Sequence, residues 1–478
     1  MKTWFDHILY HAKMQPHRPA VVLLDRAITY GMLAAGIESC ARRLAPMNFG
    51  GGAPVAIAVK SPLRQVVLSF ALMRIGVPSL SLNTVAQLTN NTAVAAVLAD
   101  SAGAPGQTPA RRTITVTDDW FAPDAAGAAP LPQGFSGSRH ICRYSLSSGT
   151  TGEPKLYPET IAGLGQRVFN NIFSGIDTSL NGMLCMMGLS TTWGFANVCA
   201  TLAAGRTLYL ATSTGEAIVM IEMFSIDLLL VSTEQVLSLA ATARRTGAQV
   251  RSLRMTVMSG GVPTRALLEA AMAYLSKDIL SLYGATEIGL VARATGRDLL
   301  TNPGLAGFVA PGTEAAVFDT AGKPCPTGEI GAIKVRRTID DDEAADRDWI
   351  ALGDYGWLAS DGRLYVVGRN PGDTFTGMQI SPVVEAEHVL RLEFLYDDAA
   401  ALMRDGDGTG SKPALQFGIV NNRDATADKV QAALLTRGID ATVELFALPS
   451  IPRGVGGKVM RDELKSALGQ AKPIPRSK

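Results

Sequence analysis

The sequence predicts an α/β protein: a large amino-terminal domain of mainly parallel sheets flanked by helices, a β-rich subdomain, and a small α+β carboxy-terminal domain. Three observations carry that prediction. Short apolar runs alternate with stretches of helical periodicity through residues 20–281, the rhythm of βα units in a parallel sheet. After Ala306 the texture changes to short strands broken by turn dipeptides such as Ala321-Gly322 and Asp361-Gly362. Finally, the turn cluster Arg369-Asn370-Pro371-Gly372-Asp373 marks a boundary, dividing residues 1–369 from 370–478. A chain of 478 residues also exceeds what one hydrophobic core supports.

The elements follow in order. Trp4, Phe5, Ile8, Leu9 and Ala12 recur at helical spacing, which predicts a surface helix over 3–16. Residues 20–24 read as a strand turning into Ile28-Thr29-Tyr30, and 31–44 as a helix. Strands at 55–59 and 79–82 flank a helix at 63–75, and 113–117 alternates like a strand within a loop-rich stretch. Ile141-Cys142-Arg143-Tyr144-Ser145 is a short alternating run that reads as a strand ending in a loop. Helices are predicted at 161–173 and 216–224, and strands at 207–211, 228–231, 256–258 and 279–281. The later strands are expected at 314–318, 330–335 and 364–367, with mixed helix and strand from 381 to 464. No internal repeat or heptad seam occurs.

Composition excludes several classes. Hydrophobic residues make up 47% and charged residues 18%, the balance of a globular protein with large cores. A net charge of +1 gives no footprint for nucleic acid or for an anionic membrane. Five scattered cysteines without CxxC spacing argue against a disulfide framework and a zinc site, and point to a reducing cytoplasm. Met1 to His7 contains no apolar run of signal-peptide type, and residues 183–205, though uncharged, carry too many Ser, Thr, Asn and Gly residues for a membrane span. A soluble protein is expected.

The chemistry concentrates in five motifs. Ser147, Ser148, Gly149, Thr150, Thr151, Gly152, Glu153, Pro154 and Lys155 combine flexible backbone, hydroxyl donors and a cation, a phosphate-binding composition that a flexible linker would also share. Pro154 before the lysine departs from the usual nucleotide loop. Gly260-Gly261-Val262-Pro263 follows a strand, where open α/β sheets bind ligands. Ser281-Leu282-Tyr283-Gly284-Ala285-Thr286-Glu287 offers an aromatic face, a hydroxyl and a carboxylate; alternatively Tyr283 is a core aromatic and Glu287 a helix-start acid. Leu352-Gly353-Asp354 with Gly368-Arg369 places an acid and a base on a β-hairpin, and Ile451 to Arg461 holds Lys458 in a glycine-rich loop.

In this order the motifs resemble the signatures of the adenylate-forming superfamily, which includes acyl-CoA synthetases, aryl-CoA ligases and peptide-synthetase adenylation domains. The resemblance implies that residues 147–155 hold the phosphates of ATP, that Gly260, Gly261, Val262 and Pro263 line the adenine pocket with Tyr283 and Gly284, and that Asp354 accepts the ribose hydroxyls. It assigns Arg369 to ribose or phosphate, Thr286 to the α-phosphate, and Mg²⁺ to Glu287 with Thr151. Lys458 would bridge the substrate carboxylate and the α-phosphate. Thr191, Trp193, Gly194 and Ala285 fall at the acid pocket. The implied activity is ligation of a carboxylic acid to coenzyme A through acyl-AMP, with the carboxy-terminal domain swinging about a hinge near Arg369 between the two half-reactions.

Departures from the pattern keep other readings open. Leu156-Tyr157-Pro158-Glu159-Thr160 replaces a Ser-His or Thr-His pair, and threonine stands where an aromatic or histidine precedes Gly194. Pro371 beside the hinge restricts φ and bears on the swing. Asp340-Asp341-Asp342-Glu343 reads as a solvated loop. An adenylating enzyme that loads a carrier protein, and a nucleotide-binding protein without turnover, are the alternatives.

Overall fold

The computed structural model describes residues 4–50, 52–89, 92–101, 112–122, 130–147, 155–173, 180–338, 348–368, 382–404, 412–421, 426–453 and 459–475. The chain divides into two compact units, Met1–Leu230 and Val231–Lys478. The α/β class expected from the sequence is the one observed.

The first unit contains a six-stranded sheet in the order Thr113–Thr115, Ala96–Ala99, Val55–Ala58, Ser79–Ser81, Ile141–Ser147 and Lys155–Thr160. All neighbours are parallel except the last pair. Val55, Ala56 and Ile57 are buried in succession, the pattern of a strand with neither face open to water. The helix Pro62–Arg74 starts where Ser61 accepts from the Arg64 amide and Pro62 occupies the first turn; it buries every residue from Val66 to Met73. A second group of strands sets Gly182–Cys185 between Thr207–Tyr209 and the strand beginning at Leu228, all parallel, with Pro19–Val22 and Ala27–Thr29 beyond.

The uncharged stretch 183–205 splits into the strand Gly182–Cys185 and the buried helix Thr192–Ala203. Among the described residues no helix is long and apolar enough to cross a membrane. The helix predicted at 3–16 forms at Trp4–Met14, with Phe5 and Ile8 buried.

In the second unit the strands run Met255–Ser259, Asp278–Ala285, Gly289–Thr295, Leu305–Val309, Arg363–Gly368, Ile350–Leu358, Gly331–Arg337 and Thr313–Phe318. Only the first pair is parallel. The β-rich part therefore begins before Ala306, at Gly289. Its core gathers Ile288, Val291, Ala292, Val317, Ile333, Val335 and Leu364, with Tyr283 and Ala285 packed at the edge.

The last part of this unit is a three-stranded sheet, Asp398–Arg404, Ala414–Val420 and Thr442–Ala447, with helices Pro382–Glu393, Ala427–Thr436 and Arg461–Gln470. Pro382–Glu393 packs on the helices Thr233–Thr246 and Arg265–Tyr274. Polar anchors fix that contact: Glu385 accepts from the Ala266 amide at 3.1 Å, and His388 Nδ1 lies 2.7 Å from the Thr264 hydroxyl. Arg391 pairs with Glu234, and Arg437 reaches Glu269, Glu385 and Glu393 together.

Candidate active site

The strand Ile141–Ser147 pairs antiparallel with Lys155–Thr160, and Ser147 stands opposite Lys155. The two ends of the serine- and glycine-rich stretch are thereby held side by side. Ser148, Gly149, Thr150, Thr151, Gly152, Glu153 and Pro154 lie outside the described residues, as do Arg369, Lys458, the acidic run 340–343 and the turn cluster 369–373. Around Lys458 the flanks are paired, since Arg453 bridges Val459 and the Met460 amide donates to Pro452 at 2.9 Å. Arg453 in turn grips Asp398 through Nη2 and Nε, at 2.6 and 2.8 Å.

Gly260-Gly261-Val262-Pro263 leaves the carboxyl end of Met255–Ser259, as predicted. Gly260 has φ +86° with open space where a Cβ would lie, so bare backbone faces outward there. Gly261 answers a packing demand instead: a Cβ would come within 2.8 Å of the Thr233 side chain. Val262 is exposed, and Thr264 closes the turn by capping the helix Arg265–Tyr274.

Tyr283 and Asp354, 71 positions apart, meet: the phenol donates to Asp354 Oδ2 at 2.7 Å. Strand geometry makes this possible. Tyr283 lies in Asp278–Ala285 and Asp354 in Ile350–Leu358, where the preceding Gly353 takes φ +75°. A carboxylate has about four lone-pair sites, and the phenol takes one of them. Tyr283 is thus not merely a core aromatic.

Thr286 and Glu287 occupy the tight connection between Asp278–Ala285 and Gly289–Thr295. The reading of Glu287 as a helix-start acid is overturned, because the chain reverses into an antiparallel partner and no helix follows. Gly284 permits the reversal; a Cβ there would meet the Gly289 carbonyl oxygen at 2.1 Å. Arg337, which no motif singles out, braces the connection by donating to the Ile288 carbonyl at 3.1 Å. A lone arginine on a strand carries no sequence signal for that role.

In the first unit, the Thr191 hydroxyl caps the helix Thr192–Ala203. It accepts from the Gly194 amide at 3.0 Å and donates to the Gly188 carbonyl at 2.8 Å. Gly194 is needed for that close approach, since a Cβ would sit 2.6 Å from the Gly188 oxygen. Trp193 is half-buried in the first turn. Burial pushes the Cys142 and Cys185 thiols up to about 12, so neither supplies a thiolate near neutral pH.

The chain is similar to known proteins over its whole length. It is 23% identical to 2-succinylbenzoate–CoA ligase of Bacillus subtilis, across 96% of this chain and 97% of that one. It is 23% identical to 4-chlorobenzoate–CoA ligase of an Arthrobacter species, across 98% and 96%. Its fold matches that of the Bacillus subtilis o-succinylbenzoate CoA synthetase in complex with its acyl-adenylate intermediate, with a TM-score of 0.77 at 20% identity and coverage of 100% and 99%. The AMP-binding enzyme family matches residues 9–339, more than half of the sequence, and the chain belongs to that family.

Proposed function

We propose that the protein is an ATP-dependent acid–thiol ligase that activates a carboxylic acid as acyl-AMP and transfers the acyl group to coenzyme A. The observation that carries this is the hydrogen bond joining Tyr283 to Asp354, which links the position expected under the purine to the one expected at the ribose. Full-length similarity to proteins named as CoA ligases supports the thiol acceptor over a carrier protein.

In the first half-reaction a carboxylate oxygen attacks the α-phosphorus of ATP, and the bond to pyrophosphate breaks. Residues 147–155 hold the phosphates, Asp354 and Arg369 the ribose, and Gly260–Pro263 with Tyr283 and Gly284 the adenine. Thr286 contacts the α-phosphate. Lys458 neutralises the charge shared between carboxylate and phosphate as pyrophosphate leaves. Magnesium, when bound, screens the triphosphate, and Glu287 and Thr151 would hold it. One carboxylate fits a cation that keeps most of its waters and takes phosphate oxygens, and no group of three or more His, Cys, Asp or Glu residues suited to a metal occurs among the described residues.

In the second half-reaction the thiol sulfur attacks the acyl carbon, AMP departs, and the thiol proton passes to solvent. The segment 370–478 serves as the small domain that carries Lys458 in and out, with 1–369 as the large one. Thr191, Trp193, Gly194 and Ala285 border the acid. Pyrophosphate exchange into ATP, measured over a panel of aryl, fatty and short dicarboxylic acids, tests the reading. Exchange with at least one acid, and thioester on adding coenzyme A, is the expected result; no exchange with any acid overturns it.

A further inference from the structure

Among the described residues Arg143 is the largest fully buried side chain, with 0% exposure. It stands on Ile141–Ser147, the strand that leads into the phosphate-binding stretch. Its guanidinium lies 4.1 Å from the centre of the Phe195 ring, and Nη2 donates to the carbonyl of Leu189. Glu159, 3% exposed, approaches Arg143 Nε at 4.0 Å, while Arg167 Nε meets the other Glu159 oxygen at 2.8 Å. Two cations thus share one buried carboxylate, a costly arrangement of a kind that well-packed apolar side chains often replace without loss of stability.

What the arrangement accomplishes is visible in the backbone it grips. Leu189 lies in the segment 186–191 that delivers Thr191 and Trp193 to the start of Thr192–Ala203. Two residues along the same strand, the Ser145 hydroxyl accepts from the Thr192 hydroxyl at 3.0 Å, so position 143 holds this segment and position 145, on the same face of the strand, holds the helix start that follows it. Ser190 adds a bond to Asn83 at 3.1 Å. Of these holds, only the one from Arg143 is charge-assisted and fully enclosed.

We infer that Arg143 is a positioning residue that sets the segment 186–191, and with it Thr191 and Trp193, which the ligase reading puts at the acid, relative to the strand entering the phosphate stretch. The inference rests on the ligase reading for its consequence, acid selectivity, but not for the positioning itself. Phe195 and the Glu159–Arg167 pair keep the guanidinium flat and aimed at the Leu189 carbonyl.

Arg143→Met keeps the bulk and removes the fork. With the acid that the wild type uses best, KM for the acid should rise about tenfold while KM for ATP stays within about twofold, because a displaced pocket wall misplaces the acid alone. Equal KM values for the acid in variant and wild type overturn the proposal, as does a fall in kcat with both KM values unchanged. Arg143→Lys, which retains a cation able to reach a carbonyl, should recover part of the acid KM; a lysine variant no better than the methionine variant also counts against it. Acrylamide quenching of Trp193, isolated against a Trp193→Phe background, reads the position directly. It should increase in Arg143→Met even if the wild type adenylates no acid, the outcome that would sink the ligase reading alone; unchanged quenching sinks the positioning role. Should Arg143→Met not fold, Phe195→Leu, which removes the ring beneath the guanidinium, carries the same two measurements.

Discussion

Replacing Tyr283 with phenylalanine removes one atom from the proposed nucleotide site. The ring keeps its packing against the core around Ile288 and Val291, while Asp354 loses a donor at 2.7 Å. A hydrogen bond to a charged acceptor contributes about 1.5–3 kcal/mol. Both side chains are half-buried, so water replaces the phenol in part, and a loss of about 1 kcal/mol is the working figure. If the phenol fixes Asp354 for the ribose, that figure becomes a rise in KM for ATP of about fivefold. KM for the acid stays unchanged. Steady-state kinetics of pyrophosphate exchange give the first number, and the same assay with 2′,3′-dideoxy-ATP gives the second. Without ribose hydroxyls to receive, the orientation of Asp354 no longer matters, and the penalty from Tyr283→Phe should vanish. An equal penalty with both nucleotides, or none with ATP, would refute the reasoning.

Lys458→Ala should lower the rate of adenylate formation about a hundredfold or more while ATP still binds, checked by rapid-quench assay and by nucleotide titration; an unchanged rate removes the lysine from the mechanism. His388 is held down to about 3 by burial, with Arg391 and Arg453 adding to the effect, so it is neutral in the native state. Below its ordinary value of 6.5 the unfolded chain takes up a proton that the folded chain refuses. Stability is therefore fully present above about 6.5 and declines as pH falls toward 3, by about 1.4 kcal/mol per pH unit from this group. Denaturant melts from pH 7 to 4 should show a shallower decline in His388→Gln, and parallel curves contradict the assignment. Gly194→Ala forces a methyl group to within 2.6 Å of the Gly188 oxygen and should destabilise the protein by about 1–3 kcal/mol in chemical denaturation. No change would mean that the segment 186–191 yields freely.

The sequence carried the class of fold and the sequence positions of the motifs because both depend on local pattern. Consecutive apolar residues at Val55, Ala56 and Ile57 suit a buried strand, and Ser61-Pro62 announces a helix start. What it hid depends on partners far along the chain. Arg143 sits in a short alternating run whose pattern does not show that its charge is enclosed; Glu159, Leu189 and Phe195 receive it there. The family resemblance puts Thr191 at the acid pocket, while its hydroxyl serves a helix cap that only the backbone of Gly194 and Gly188 reveals. For Glu287 the sequence leaves a helix-start acid open beside a metal-binding carboxylate, and the reversal into Gly289–Thr295 removes the helix-start alternative. Arg337 supports that reversal from a strand with no motif at all.

The central claim is that separated segments of this chain serve one nucleotide. The most direct test is the structure of the protein bound to ATP and Mg²⁺. Both ribose hydroxyls should lie on Asp354, the base against Tyr283 and Gly260–Pro263, and the phosphates on residues 147–155. A nucleotide seated away from Asp354, or one whose phosphates turn from residues 147–155, would contradict it.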